Sequence, residues 1–175
     1  MTTAKQTRLS LAALAVTLVM APAAVLAKAP PITAQTLIDR AQINDLLTRY
    51  YYNLGHSRAD SFAAFYTDDA EMILGNQTFK GKEGIGKAYQ GTADSPQRKA
   101  YAFNISISNP LITVDGNTAK AQIIFTEIIV DKQGDSPRVL VQGREYDKLV
   151  KVKGEWRFKR RQIMPGAQVP DGWLN

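Results

Sequence analysis

Few residues in this chain could move a proton. Glu127, Glu145 and Asp147 are the acids inside runs of β-forming residues, His56 is the single histidine, and there is no cysteine. A carboxylate on an apolar wall has a raised pKa and can act as a base. A histidine titrates near neutral pH with little adjustment. Without cysteine there is no disulfide, thiol nucleophile, iron–sulfur cluster or thiolate zinc site, and one histidine excludes a multi-histidine metal centre within one chain. No metal or cofactor is expected, and if the chain catalyses, proton transfer is the chemistry expected of it. Hairpin registers sort the three acids. A two-residue turn at Lys153-Gly154 sets Asp147 opposite Arg160 as a cross-strand ion pair and Glu145 opposite Gln162, with no charge to neutralise it. A two-residue turn at Asp115-Gly116 sets Glu127 opposite Asn104, away from Ile105. Glu145 is therefore the leading carboxylate.

Other candidates surround these acids. Tyr50, Tyr51 and Tyr52 point in three successive directions around a helix; Tyr50 shares the stripe of Leu46, Leu47 and Leu54, so its hydroxyl is the one expected to orient a ligand. The alternative for Tyr50 is a core aromatic with its hydroxyl satisfied at the rim. His56 is a base candidate or a solvated loop residue. Tyr101, Phe103, Ile105 and Ile107 share one strand face, with Asn109 at its end, and form an apolar, aromatic wall suited to a hydrophobic small molecule. Met72 and Leu74, on the short strand Glu71 to Leu74, and Leu54 join that lining. The competing reading is an interior filled by its own side chains. Gly81 to Lys87 comes near a phosphate-binding loop, but position 88 is alanine and the strands that follow are antiparallel, so the glycines are read as the turn into a helix. Lys148, Lys151, Lys153, Arg157, Lys159, Arg160 and Arg161 crowd the last hairpin, either as a solvated face or to steer an anion.

Thr36 to Leu54 has the apolar spacing of an amphipathic helix, with Thr36 and Asp39 resembling a capping box and Gly55 as a stop. Short helices fit Asp60 to Tyr66 and Lys82 to Tyr89. Lys99–Asn109, Thr118–Val130, Val139–Lys151 and Glu155–Met164 are strands separated by turn signals. Helices followed by an antiparallel meander predict one α+β domain with helices on one face of the sheet. Thr118–Val130 carries apolar side chains on both faces, so the second face should also be covered. A second subunit, making a homodimer through the outer sheet face, is the favoured cover; a terminal segment is the alternative.

The 175 residues suit one domain with a real core. Lys5 and Arg8, the apolar run Leu9 to Met20, and the small residues up to Ala27 have the layout of a secretory signal peptide. An uncleaved anchor is the alternative, opposed by Pro22 and the alanines. Cleavage after Ala27 leaves 148 residues with 20 basic and 16 acidic side chains, exported to the periplasm or outside the cell, without nucleic acid as a partner and without a stable membrane anchor. The expected division is signal peptide 1–27, linker 28–35, folded domain 36–165 and tail 166–175.

Residues RYYYNLGHSRADSFAAFYTDDA (49–70), then GIGKAY, NPLITVDGNTAKAQ, GREYDKLV and GEWRFKRRQI, taken in order, resemble the SnoaL-like branch of the nuclear-transport-factor-2-like superfamily. The resemblance implies a cone: a strongly bent antiparallel sheet wrapped around about three N-terminal helices, with an apolar cavity between them. It also implies a cofactor-independent lyase or isomerase, or a binding module without catalysis. Members of the scytalone dehydratase and ketosteroid isomerase type pair an acid at the end of helix one with a histidine on the strand of Lys99–Asn109. Those positions fall here on Gly55 and Ile105, and a further acid before helix two falls on Arg58. The resemblance therefore implies the pocket, while any base must come from His56 or Glu145, with Tyr50 polarising the substrate.

Overall fold

The computed structural model describes residues 31–55, 59–90 and 95–173. The segment read as a signal peptide and His56 lie outside the described residues. Helix α1 spans Ala34–Gly55, and Ile43, Leu46, Leu47 and Tyr50 form its buried stripe. Its cap differs from expectation. Thr33 Oγ1 accepts from the Thr36 N–H (3.1 Å) while Thr36 Oγ1 accepts from the Thr33 N–H (2.8 Å), a reciprocal pair three residues earlier in register than Thr36 with Asp39. Asp39 is instead buried. Its Oδ1 accepts from Lys151 Nζ (2.6 Å) and Trp156 Nε1 (3.2 Å), and Gln35 donates to Oδ2 (3.2 Å). Burial raises the Asp39 pKa, but the bonds from Lys151, Gln35 and Trp156 outweigh it and hold the carboxyl below its ordinary range.

After a 3-10 segment, Ala59–Phe65, come β1 (Tyr66–Leu74), β2 (Gln77–Lys80), α2 (Gly81–Gln90), the single turn α3 (Pro96–Lys99), β3 (Ala102–Asp115), β4 (Thr118–Val130), β5 (Arg138–Val152) and β6 (Glu155–Pro165). Among the described residues only α1 and α2 are helices of any length, so the three expected helices reduce to two and a 3-10 segment. The short strand of Glu71 to Leu74 extends back to Tyr66 and turns through Gly75 into β2. Gly81, at φ +65°, makes the turn into α2.

The six strands form one curved, open sheet in the order β2-β1-β6-β5-β4-β3. The meander β3 to β6 is antiparallel as expected, but β1 joins β6 in parallel, so the sheet is mixed. Helix α1 packs on β3 and β6, and α2 on β1. Between them lies the core of Ile43, Leu47, Tyr50, Phe62, Tyr66, Ile85, Ile123 and Phe158.

Two of the sheet's bulges move the registers expected for the three acids. The β5–β6 turn is Lys153-Gly154 as expected, with both residues at positive φ and Val152 opposite Glu155. Between Leu149↔Phe158 and Lys148↔Arg160, however, Lys159 is an extra residue on β6. Asp147 therefore faces Arg161 rather than Arg160, and Glu145 faces Ile163 rather than Gln162. The β3–β4 turn is Gly116-Asn117, one residue later than expected, and β3 bulges at Asn109 (φ +51°) and Pro110, which has no N–H for the ladder. Together these shifts set Glu127 opposite Ile105 instead of Asn104.

The outer face of the sheet is partly covered by the chain's own tail. Tyr146 Oη donates to the Gln168 carbonyl (2.8 Å), Arg144 Nη1 to that of Ala167 (2.8 Å), and the Trp173 ring meets Tyr146 edge-on at 5.0 Å. On the same face Leu111 of β3, opposite Gln122, and Val139 of β5, opposite Ile128, remain 64% and 60% exposed.

Candidate functional site on the concave face

Alternation along β4 turns Ile123, Phe125 and Glu127 to the concave face. The observed pairings then bring Val141, Gly143, Glu145 and Asp147 of β5, Arg161 and Ile163 of β6, and Phe103, Ile105 and Ile107 of β3 to the same side. Gly143 is needed there. A Cβ at this position would stand 2.6 Å from Phe125 Cζ and 2.5 Å from the Met164 carbonyl oxygen, because the Phe125 ring lies over the glycine.

The floor of this face is ionic. Glu145, Asp147 and Arg161 are fully buried. Arg161 Nη2 and Tyr51 Oη both donate to Glu145 Oε2, in two short contacts. Arg161 Nε lies 4.0 Å from Asp147 Oδ1, too long for a hydrogen bond but close enough for ion pairing. The guanidinium is stacked on rings, its Cζ 3.7 Å from the Tyr50 centroid, 4.7 Å from Phe158 and 5.2 Å from Tyr51. Glu145 Oε1, both Asp147 oxygens, and Arg161 Nε and Nη1 are buried without a hydrogen-bond partner among the described residues. Burial and then the adjacent Glu145 charge push the Asp147 carboxyl well above its ordinary range, against a smaller opposing pull from Arg161. The protonated form that this favours can donate to Glu145. Burial and the Glu145 charge likewise raise the Tyr51 hydroxyl, which stays a donor.

Tyr50 sits deeper than a ligand-orienting residue would. Its hydroxyl accepts from Tyr66 Oη (3.3 Å), and its ring contacts Tyr51, Phe62, Phe65, Tyr66, Tyr89 and Phe158 at 5.1–6.4 Å between centroids. The tyrosine that touches Glu145 is Tyr51. Met72 is buried in the same cluster, where its sulfur accepts from Tyr89 Oη (3.3 Å). Leu54 is half-buried against the core, and Leu74 lies at the rim opposite Ile163. Phe103, Ile105 and Ile107 form a half-buried apolar wall. Tyr101 is 61% exposed before β3 begins, and Asn109 is exposed at the bulge, so neither joins that wall. Glu127 does join it, between Ile105 and Val141, where Gln97 Nε2 of α3 donates to its Oε2 (2.7 Å). Burial raises its pKa, with Gln97 opposing.

Sequence reasoning missed Arg161, Tyr51 and Gln97. The bulge hides the first, the choice of one tyrosine among three hides the second, and the third stands on a one-turn helix with no periodic signal.

A SnoaL-like domain matches residues 35–162. The chain belongs to the SnoaL-like domain family. No curated protein sequence matches it. Among solved structures, this SnoaL-like domain is similar to a candidate scytalone dehydratase from Novosphingobium aromaticivorans (22% identity, 78% of this chain and 89% of that one, TM-score 0.66). An NTF2-like protein with a cystatin-like fold from the same organism is similar at 21% identity over 74% of this chain and 82% of that one (TM-score 0.65). A protein of unknown function with a cystatin-like fold from Nostoc punctiforme is similar at 20% identity over 81% and 98% (TM-score 0.67). At these identities the likeness establishes the shared fold, and chemistry has to be argued from the side chains.

Proposed function

We propose that this SnoaL-like domain binds a hydrophobic small molecule against the concave face of its sheet and moves a proton on it without a cofactor, as a lyase or isomerase does. The observation that carries this reading is Glu145. One carboxylate oxygen accepts from Tyr51 and Arg161, while the other, Oε1, is buried without a hydrogen-bond partner among the described residues, beside Asp147. A base so oriented needs no metal to take a proton, and the Tyr51 hydroxyl can stabilise charge that develops nearby. The candidate scytalone dehydratase among the similar folds is in keeping with such chemistry.

The test begins with native mass spectrometry of the protein purified from its source, to find a retained apolar ligand. Transferred to D2O, wild type should wash deuterium into that ligand at least 100-fold faster than Glu145→Gln, the usual scale of a general base. Equal exchange by both proteins would remove Glu145 from the chemistry. Loss of exchange only in His56→Gln would move the base to His56. Absence of any retained or added apolar ligand would sink the whole reading.

One observation favours a second reading, binding without chemistry: Glu145, Asp147 and Arg161 are all fully buried, with Arg161 stacked on Tyr50, Tyr51 and Phe158. A retained ligand that never exchanges protons would select it. The proposed macromolecular partner is a second copy of the chain, seated on the outer face where Leu111 and Val139 are exposed. A sedimenting mass of one chain at micromolar concentration would exclude that partner.

A further inference from the structure

Glu127 is the ionisable side chain of the concave face that the buried floor leaves unused. It lies on β4 four residues beyond Ile123, the residue opposite Glu145, which is about 13 Å along a strand at the usual rise. The Phe125 ring, laid over Gly143, separates the two positions. The neighbours of Glu127 on the adjacent strands are Ile105 and Val141, both apolar and half-buried, and no salt bridge to it occurs among the described residues. Its one hydrogen bond there comes from Gln97 Nε2 (2.7 Å), and Gln97 Oε1 is buried without a partner. Two kinds of atom thus stand together at the rim of an apolar wall, a carboxylate and an amide oxygen, and both only accept. Gln97 Nε2 has two N–H donors and one is spent on Glu127 Oε2, whereas Gln97 Oε1 accepts from no group among the described residues. A ligand group that donates would supply what that oxygen lacks.

We propose that Glu127 and Gln97 form a donor-binding station at the shallow end of the concave face, which takes the hydroxyl of an apolar ring compound lying along Phe125, Ile105 and Val141. The proposal rests on the reading that the concave face binds hydrophobic molecules, and it narrows the ligand class to those with a hydrogen-bond donor at one end. Distance separates the station from Glu145. A molecule of two or three fused rings has the length to reach from one carboxylate toward the other, with its hydroxyl held at the rim and its far edge against the floor.

The experiment is calorimetric titration of the full chain with three probes of nearly equal size: naphthalene, 2-methoxynaphthalene and 2-naphthol. The first tests the apolar wall, the second adds an oxygen that cannot donate, and the third adds the donor. 2-Naphthol should bind about tenfold or more tightly than 2-methoxynaphthalene, the effect of one hydrogen bond to a charged group. Glu127→Leu, which suits the apolar neighbours, should erase that preference while leaving naphthalene binding within about twofold. Gln97→Leu should reduce it. Should Glu127→Leu fail to fold, Glu127→Gln serves in its place, since it keeps the shape and loses the charge, and it should still weaken the preference. Equal binding of 2-naphthol and 2-methoxynaphthalene, or a preference that survives Glu127 substitution, overturns this inference and leaves the broader reading standing. Failure of all three probes to bind overturns both.

Discussion

Asp147 is where one residue governs the energetics of the floor. Its carboxyl is fully buried next to that of Glu145, and Arg161 supplies one positive charge for two acids. In the unfolded chain Asp147 releases its proton near its ordinary pKa of 3.8, whereas in the folded protein burial and the Glu145 charge delay release to a well higher pH. Between those two points the folded state holds more protons, so stability falls as pH rises, by about 1.4 kcal/mol per pH unit within the window. Asp147→Asn cannot ionise and should escape that loss. Urea unfolding from pH 4 to 8 should show the variant gaining on wild type as pH increases, and parallel curves would mean that Asp147 ionises normally in the fold. The sequence marked Glu145 and Asp147 as acids within a strand, but it gave Asp147 the wrong arginine and Glu145 none. Both errors come from one uncounted residue, Lys159, since a single-residue slip reverses which side chains face inward.

Between elements, the firmest link is Asp39, which ties α1 to the β5–β6 hairpin through Lys151 and Trp156. Removing its carboxylate strands a mostly buried ammonium and leaves the indole N–H unpaired. Asp39→Ala should therefore cost about 3 kcal/mol of stability in urea unfolding at neutral pH, as breaking a buried pair does. A loss near about 0.5 kcal/mol, the worth of an exposed pair, would show the contact to be incidental. The Asp39 pKa is lowered from 3.8, so its contribution is fully present above that value and is lost as pH falls through the folded value below it. The element pattern itself was largely legible: α1, α2, β4, β5, β6 and the Lys153-Gly154 turn follow from periodicity and turn chemistry, whereas the strand expected at Lys99–Asn109 begins at Ala102, after α3, and runs on to Asp115. Periodicity does not encode bulges, and it gave no warning that β1 would pair in parallel with a strand some ninety residues later, as Tyr66 does with Phe158.

At the scale of the molecule, the outer sheet face carries two kinds of surface. The tail occupies the end around Tyr146, where Trp173 also lies beneath Lys120, with 5.5 Å between Nζ and the ring centroid. Two apolar side chains of this face are left open in a single chain, Leu111 in the cross-strand row of Gln122 and Tyr146, and Val139 opposite Ile128. The sequence registered that both faces of β4 needed cover, but it could not divide that cover between tail and partner. If a second copy completes it, the double substitution Leu111→Lys with Val139→Lys should halve the sedimenting mass without lowering the unfolding midpoint of the monomer appreciably. A wild-type protein already sedimenting as one chain would exclude the dimer.

The strand order also dictates when the molecule can close. The last strand made, β6, is an interior strand of the sheet, flanked by β1 on one side and β5 on the other. Until it arrives, β1 and β2 are an isolated hairpin, the inward arginine is missing, and Glu145 has no counter-ion. The meander of β3 to β5 can pair earlier, but the six-strand sheet waits for β6, and the search for the Tyr66 and Phe158 pairing is a long-range step expected to slow folding. Closure is timed by β6.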